Sequence, residues 1–266
     1  MSIILITGAT DGIGLETAQQ LARLGHELVL HGRTEAKAAR ARDAVLAKSP
    51  TAKIHTTHAD LANLVDVVRM AGDLNARFPL LDVLLNNAGV YMQAREISRD
   101  GIEMTLAVNH LAHFLLTALL LPLLKKSAEP RVVTVSSVAH MSGRIDFDNL
   151  NSERRFDSFY AYCNSKLANA LFATELARRE PWLFSNSLHP GVIDTKLLHA
   201  GFDMAGSSVQ SGAKTSVYLA TSPDVKGISG KYFDNCKITP PLAVVNDTRL
   251  AQQLWEWSEQ TIGKVL

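Results

Sequence analysis

The chain has 266 residues, 47% of them hydrophobic and 20% charged, with a formal net charge of +1. That is the composition of a globular domain, and so even a balance gives no electrostatic reason to expect nucleic acid or an anionic membrane as partner. Two cysteines, Cys163 and Cys236, are too few for a disulfide framework and point to a reducing, cytoplasmic setting.

Ile3-Ile4-Leu5-Ile6 is too short, and lacks the basic flank, for a signal peptide; it reads as a first strand. Thr7-Gly8-Ala9-Thr10-Asp11-Gly12-Ile13-Gly14 follows, its glycines placed where a strand must turn into a helix over residues 12–24. Glycine lets the backbone approach a pyrophosphate, whose charge a helix N-terminus stabilises. The spacing departs from G-x-G-x-x-G, so position carries more weight here than pattern. Asp11 argues against a strongly basic phosphate pocket.

A second strand at 27–31 ends in His31-Gly32-Arg33-Thr34. A chain selecting NAD would place Asp or Glu there for the ribose 2′-hydroxyl, whereas arginine pairs a 2′-phosphate, so the cofactor expected is NADP(H). A solvent-facing place at a helix start also accounts for Arg33. After a third strand at 53–58 comes Asp60-Leu61, where Asp60 is placed to accept from an adenine amino group or, equally well, to N-cap the next helix. A fourth strand at 81–85 runs into Asn86-Asn87-Ala88-Gly89, a small-residue turn suited to close approach of a ribose.

The longest apolar stretch, 111–124, lies in a predicted helix at 102–126 and falls short of the roughly 20 residues that span a bilayer. A buried helix and no integral membrane segment are expected. The apolar helix around 106–124, together with the helix carrying Tyr162, suits the core of a monomer or the interface of a homodimer or homotetramer. A fifth strand at 131–135 ends at Ser136-Ser137. In a helix at 159–179, Tyr162 and Lys166 stand four apart and share a face. A phenol of pKa about 10 is a poor acid or base near neutrality, but a neighbouring ammonium stabilises its phenolate. Alone, such a pair is more often a surface pair. The Ser137 hydroxyl at the same strand edge, able to hold a substrate oxygen, gives it meaning.

A sixth strand at 184–188, a weaker seventh at 230–233 and helices at 35–48, 64–78, 211–221 and 248–263 complete a βα rhythm. It predicts one domain over 1–266: a Rossmann-like, doubly wound parallel sheet of about seven strands with helices on both faces. A cofactor half at about 1–130 precedes a catalytic and substrate part at about 131–266, with ligands outside the carboxyl ends of the strands. His55 with His58 and His110 with His113 have metal-like spacings but lack a third ligand, so no metal is expected. A P-loop lacks its Lys-Ser/Thr, and Ser137 lacks a nucleophile elbow.

Thr7-Gly8-x-x-x-Gly12-x-Gly14, Asn86-Asn87-Ala88-Gly89, Ser137, Tyr162-x-x-x-Lys166 and His189-Pro190-Gly191 occur in this order. Over nearly its whole length the chain resembles the short-chain dehydrogenase/reductase family. The resemblance implies that Ser137 orients substrate, Tyr162 is the acid/base, Lys166 its electrostatic partner and Asn109 the holder of a proton-relay water. The cofactor residues it implies are Gly8, Thr10, Asp11, Gly12, Ile13, Gly14, Arg33, Asp60, Leu61, Asn87, Ala88, Gly89, Tyr162, Lys166, Pro190, Gly191, Val192 and Thr195, with residues 196–211 as a substrate lid. The reaction implied is NADP(H)-dependent hydride transfer to or from a carbonyl or alcohol carbon of a lipophilic small molecule. A non-catalytic NADP(H)-binding redox sensor or scaffold is the alternative, against which the complete acid/base set argues. Val135-Ser136-Ser137-Val138-Ala139-His140, residues 161–169 and Ser229-Gly230-Lys231-Tyr232-Phe233 are most similar to the retinol dehydrogenase-like branch. Many of its members carry an N-terminal membrane segment; here the first strand begins almost at Met1, which argues against a retinoid.

Overall fold

The computed structural model describes residues 1–202 and 204–266. Its strands are β1 (Ile3–Ile6), β2 (Glu27–Gly32), β3 (Ile54–His58), β4 (Val83–Asn86), β5 (Arg131–Val135), β6 (Phe184–His189), β7 (Tyr232–Asp234) and β8 (Lys237–Ile238). They form one sheet in the order β3-β2-β1-β4-β5-β6-β7-β8. The seven expected strands are parallel; β8 adds an antiparallel edge through a two-residue turn, Asn235-Cys236, both at positive φ. Two residues are too few for an apolar pattern, which is why β8 was not anticipated.

The helices are α1 (Gly12–Arg23), α2 (Glu35–Leu46), α3 (Leu64–Arg77), α4 (Met104–Leu106), α5 (Ala112–Leu124), α6 (Ser158–Arg179), α7 (Lys196–Gly201), α8 (Val209–Thr221) and α9 (Thr248–Gly263). They cover both faces of the sheet. Leu5, Val29, Leu84 and Val132 pack with α3, α5, α6 and α9, whereas Ile4, Ile6, Leu28, Leu30, Leu85 and Val133 pack with α1 and α8. Alternate residues of each strand therefore enter opposite cores, so the strands read as unbroken apolar runs.

The helix predicted at 102–126 is α4, a π turn at Ala107–Leu111, and α5. This stretch, Met104–Leu124, is the one among the described residues long and apolar enough to cross a membrane, yet most of it is buried inside the fold. Its cover includes α9: Trp255 meets Phe114 edge-on at 4.6 Å and stacks on Phe172 of α6 at 5.8 Å. The chain passes outward from β1 to β2 on one side and to β4 on the other. At such a switch point the adjacent crossovers diverge and leave a crevice outside the carboxyl ends of the strands.

Candidate active site

The crevice floor is the glycine turn. Gly8 has φ +63°, and a Cβ there would lie 2.8 Å from the Ala88 Cα; a Cβ on Gly14 would lie 2.2 Å from the Gly8 carbonyl oxygen. Neither position admits a side chain. Asn87 holds the turn, its Nδ2 donating to the carbonyls of Thr7 (2.8 Å) and Gly8 (3.2 Å), while its own N–H and that of Ala88 reach Thr7 Oγ1. A support not foreseen from the sequence comes from His31. Its Nε2 donates to the Ala59 carbonyl at 3.0 Å, so its Nδ1 is the acceptor for the Gly8 N–H at 3.2 Å. Burial pushes this ring down to about 4, and it is neutral.

Asp11 stands at the N-cap of α1 but its carboxylate accepts nothing from the helix, and the first turn holds no other acid. It pairs instead with Lys196 Nζ at 2.9 Å. The first-turn amides of α1 are thus left unspent by side chains, and the Asp11 charge that argued against a phosphate site is offset by Lys196.

From this floor a cleft of about 990 Å³ runs along the strand ends. It brings together Asp11, Gly12, Ile13, Gly14, Asn87, Ala88, Gly89, Ser137, Tyr162, Lys166, Pro190, Gly191, Val192 and Thr195 of the expected residues. Gly8, Thr10, Arg33, Asp60, Leu61 and Asn109 do not line it. Arg33 is exposed at the end of β2. Asp60 does not cap α3, the role weighed for it: Asn63 does, and the Asp60 carboxylate accepts the Ala62 N–H at 3.1 Å to shape the preceding turn.

Asn109 lies in the π turn, fully buried. Its carboxamide accepts from the Val90 N–H (2.8 Å) and donates to the Val90 carbonyl (3.1 Å) and Ser165 Oγ (2.9 Å), clipping the loop after β4 to the helix turn that carries Lys166. Its main-chain carbonyl accepts from His113 Nδ1 at 3.1 Å. That bond makes His113 Nε2 the acceptor for Thr7 Oγ1 at 2.9 Å, and burial pushes the ring down to about 3.

Tyr162 and Lys166 are 6% and 3% exposed, with Lys166 Nζ 5.6 Å from the Tyr162 ring centroid and donating to the Val135 carbonyl at 3.2 Å. Burial pushes the phenol above its ordinary value, the Ser137 hydroxyl pulling the other way, and pushes Lys166 down to about 8. The lowering of the phenol expected from Lys166 is not found in the protein alone: desolvation dominates, and the group that opposes it is Ser137. The two serines separate clearly. Ser136 Oγ is buried and donates to the Lys166 carbonyl at 2.7 Å, whereas Ser137 borders the cleft beside Tyr162.

The far wall was not legible in the sequence. Tyr91 lies 5.5 Å from Tyr162 and 5.4 Å from Phe202, and Phe159 lies 6.3 Å from Phe202, ring centre to ring centre. Tyr91 also donates to Ser158 Oγ at 3.1 Å. Met92, Met141 and Met204 continue this uncharged wall. Phe202 and Met204 come from the segment expected to be a lid, of which Asp203 lies outside the described residues; its first part is α7, capped by Thr195.

A model of the short chain dehydrogenase family matches residues 2–206. The chain belongs to that family, and is an oxidoreductase of CH–OH groups. Within it the chain falls in the retinol dehydrogenase-like branch, being 40% identical over 285 residues to retinol dehydrogenase 14 of Mus musculus, across 98% of this chain and 85% of that protein. In structure it is similar to an uncharacterised protein from Mycobacterium paratuberculosis (TM-score 0.81, 33% identity, 98% and 93% of the two chains). It is also similar to a short chain dehydrogenase from Escherichia coli CFT073 in complex with NADPH (TM-score 0.74, 27% identity, 89% and 97%).

Proposed function

We propose that the protein transfers a hydride between NADP(H) and the carbonyl or alcohol carbon of a lipophilic small molecule, with Tyr162 as acid/base. The observation that carries this is the meeting of Ser137, Tyr162 and Lys166 in the same cleft whose other end is the uncapped start of α1. The glycine floor, into which no Cβ fits, and the unspent amides suit a dinucleotide pyrophosphate. Asp11, Gly12, Ile13 and Gly14 would hold it, and Pro190, Gly191, Val192 and Thr195 would border the nicotinamide. When bound, the cofactor supplies or takes up the hydride.

The chain's own residues do the rest. The Ser137 hydroxyl hydrogen-bonds the substrate oxygen and aims it at Tyr162. Tyr162 donates a proton to that oxygen in reduction and removes it in oxidation, a step worth typically 10²–10⁴-fold. Lys166, charged below about pH 8, favours the phenolate, and Asn109 keeps the loop after β4 in register with the Lys166 turn. The aromatic and methionine wall excludes water and favours an apolar, uncharged substrate.

Arg33 at the end of β2, with NADPH in the Escherichia coli neighbour, supports NADP(H) over NAD(H). Nicotinamide absorbance followed over a panel of aldehydes, ketones and alcohols should show turnover with apolar members. Arg33→Ala should weaken NADPH relative to NADH by about tenfold or more, the worth of a charge-assisted hydrogen bond; an unchanged preference contradicts the cofactor assignment.

A further inference from the structure

We infer that His140 is a positioning residue for Ser137, and that through it the C-terminal segment holds the serine in place. The inference rests on the reading of Ser137 given above.

The Ser137 carbonyl oxygen receives two hydrogen bonds from His140, from its N–H at 3.1 Å and from Nδ1 at 2.6 Å. A carbonyl only accepts, so Nδ1 carries the ring proton. Nε2 is then a bare acceptor, and it takes the Leu242 N–H at 3.0 Å. A proton on Nε2 would set two donors face to face, so the geometry selects one neutral tautomer. The ring is buried and lies against Tyr232 of β7 at 4.6 Å. The next backbone group, the Val138 N–H, is held by His189 Nδ1 at 3.1 Å. The peptide joining Ser137 to Val138 is thus gripped at both its oxygen and its nitrogen by histidines.

Leu242 and Tyr232 lie beyond residue 206, where the family match ends. The C-terminal segment therefore supplies both the wall against which the His140 ring rests and the donor that fixes its orientation. Loss of that anchor frees the ring, then the Ser137 carbonyl, then the angle at which the hydroxyl meets a substrate oxygen beside Tyr162. Misplacement of about 1 Å at a reacting centre costs up to 10²-fold in rate.

The test uses the full chain, NADPH and an apolar carbonyl substrate from the panel. His140→Phe keeps a ring against Tyr232 and removes both side-chain bonds; kcat should fall about tenfold or more, with KM and NADPH affinity little changed. Leu242→Pro removes the anchoring N–H, at a φ of −51° that proline accepts, and trims a side chain packed on the core; it should lower kcat in the same sense, and Leu242→Ala, which trims the side chain but keeps the N–H, should not. His140→Asn, which retains a donor towards Ser137, should recover more kcat than His140→Gln, which retains an acceptor towards Leu242. The double variant Ser137→Ala/His140→Phe should lose no more than Ser137→Ala alone. Parental kcat in both His140→Phe and Leu242→Pro overturns the inference, as do additive losses in the double variant or losses that track Tm across the series. Full activity in Ser137→Ala overturns the reading of Ser137 instead.

Discussion

Tyr162 and Lys166 are buried together, and burial acts on them in opposite senses, raising the phenol and lowering the ammonium to about 8. Lys166 is charged below that value and neutral above it, so its support for a phenolate is present at neutral pH and lost as pH rises through 8. kcat/KM should decline above about pH 8, which an activity profile will show; a flat profile to pH 10 contradicts it. The same burial costs stability. An amine that titrates at 10.5 when exposed and at about 8 when buried loses about 3 kcal/mol at neutral pH. Lys166→Met should therefore raise Tm by several degrees while abolishing turnover, and a lower Tm would show that the ammonium is a net structural contributor. These residues were legible because their arrangement is local: Tyr162 and Lys166 lie one helical turn apart and Ser137 at a strand end. Tyr91 and Phe202 were not, because 111 positions separate them and only the path of α7 over the sheet edge makes them neighbours.

Among the elements, the turn from β1 into α1 depends on parts far away in sequence. Asn87 from the end of β4, His31 from β2 and His113 from α5 all reach Thr7 or Gly8. The sequence marks the turn by its glycines but gives no sign of this support, since a buried histidine looks the same whether it packs or holds a backbone. Gly14→Ala puts a methyl 2.2 Å from the Gly8 oxygen, so the turn must open. A stability loss of about 1–3 kcal/mol, as for overpacking, and loss of dinucleotide binding are expected by thermal melt and titration; native affinity would show that the turn yields without cost. The π turn holding Asn109 was also hidden. One extra residue in a turn leaves an already continuous apolar pattern looking like plain helix. The α7 helix, six residues ending at Gly201, gave too little pattern to stand out from a loop.

At the scale of the whole molecule, the helix pair α5 and α6 was read as either monomer core or the interface of a homodimer or homotetramer. In the structure α9 lies over that face, with Trp255 against Phe114 and Phe172 and the Arg179 guanidinium 4.6 Å from the Trp255 ring. The surface under α9 is thus filled within one chain. Sedimentation should show no association through it, and Trp255→Ala should lower stability by about 3 kcal/mol, the low end for a large aromatic because the indole is only half-buried. A dimer that Trp255→Ala dissociates would contradict this. The parallel sheet and the layering on both faces followed from the βα rhythm, because alternate residues of each strand serve two cores; the strand order came from the structure. The C-terminal segment did not, because what it holds, the Ser137 turn through His140, lies about 100 residues upstream.

The central claim is that Tyr162 moves the proton that accompanies hydride transfer. Tyr162→Phe keeps the ring packed against Tyr91 and Phe202 and removes only the hydroxyl. With NADPH and a carbonyl substrate turned over by the parent, the variant should bind cofactor normally and lose roughly 10²–10⁴-fold in kcat. Turnover at the parent's rate would contradict the account.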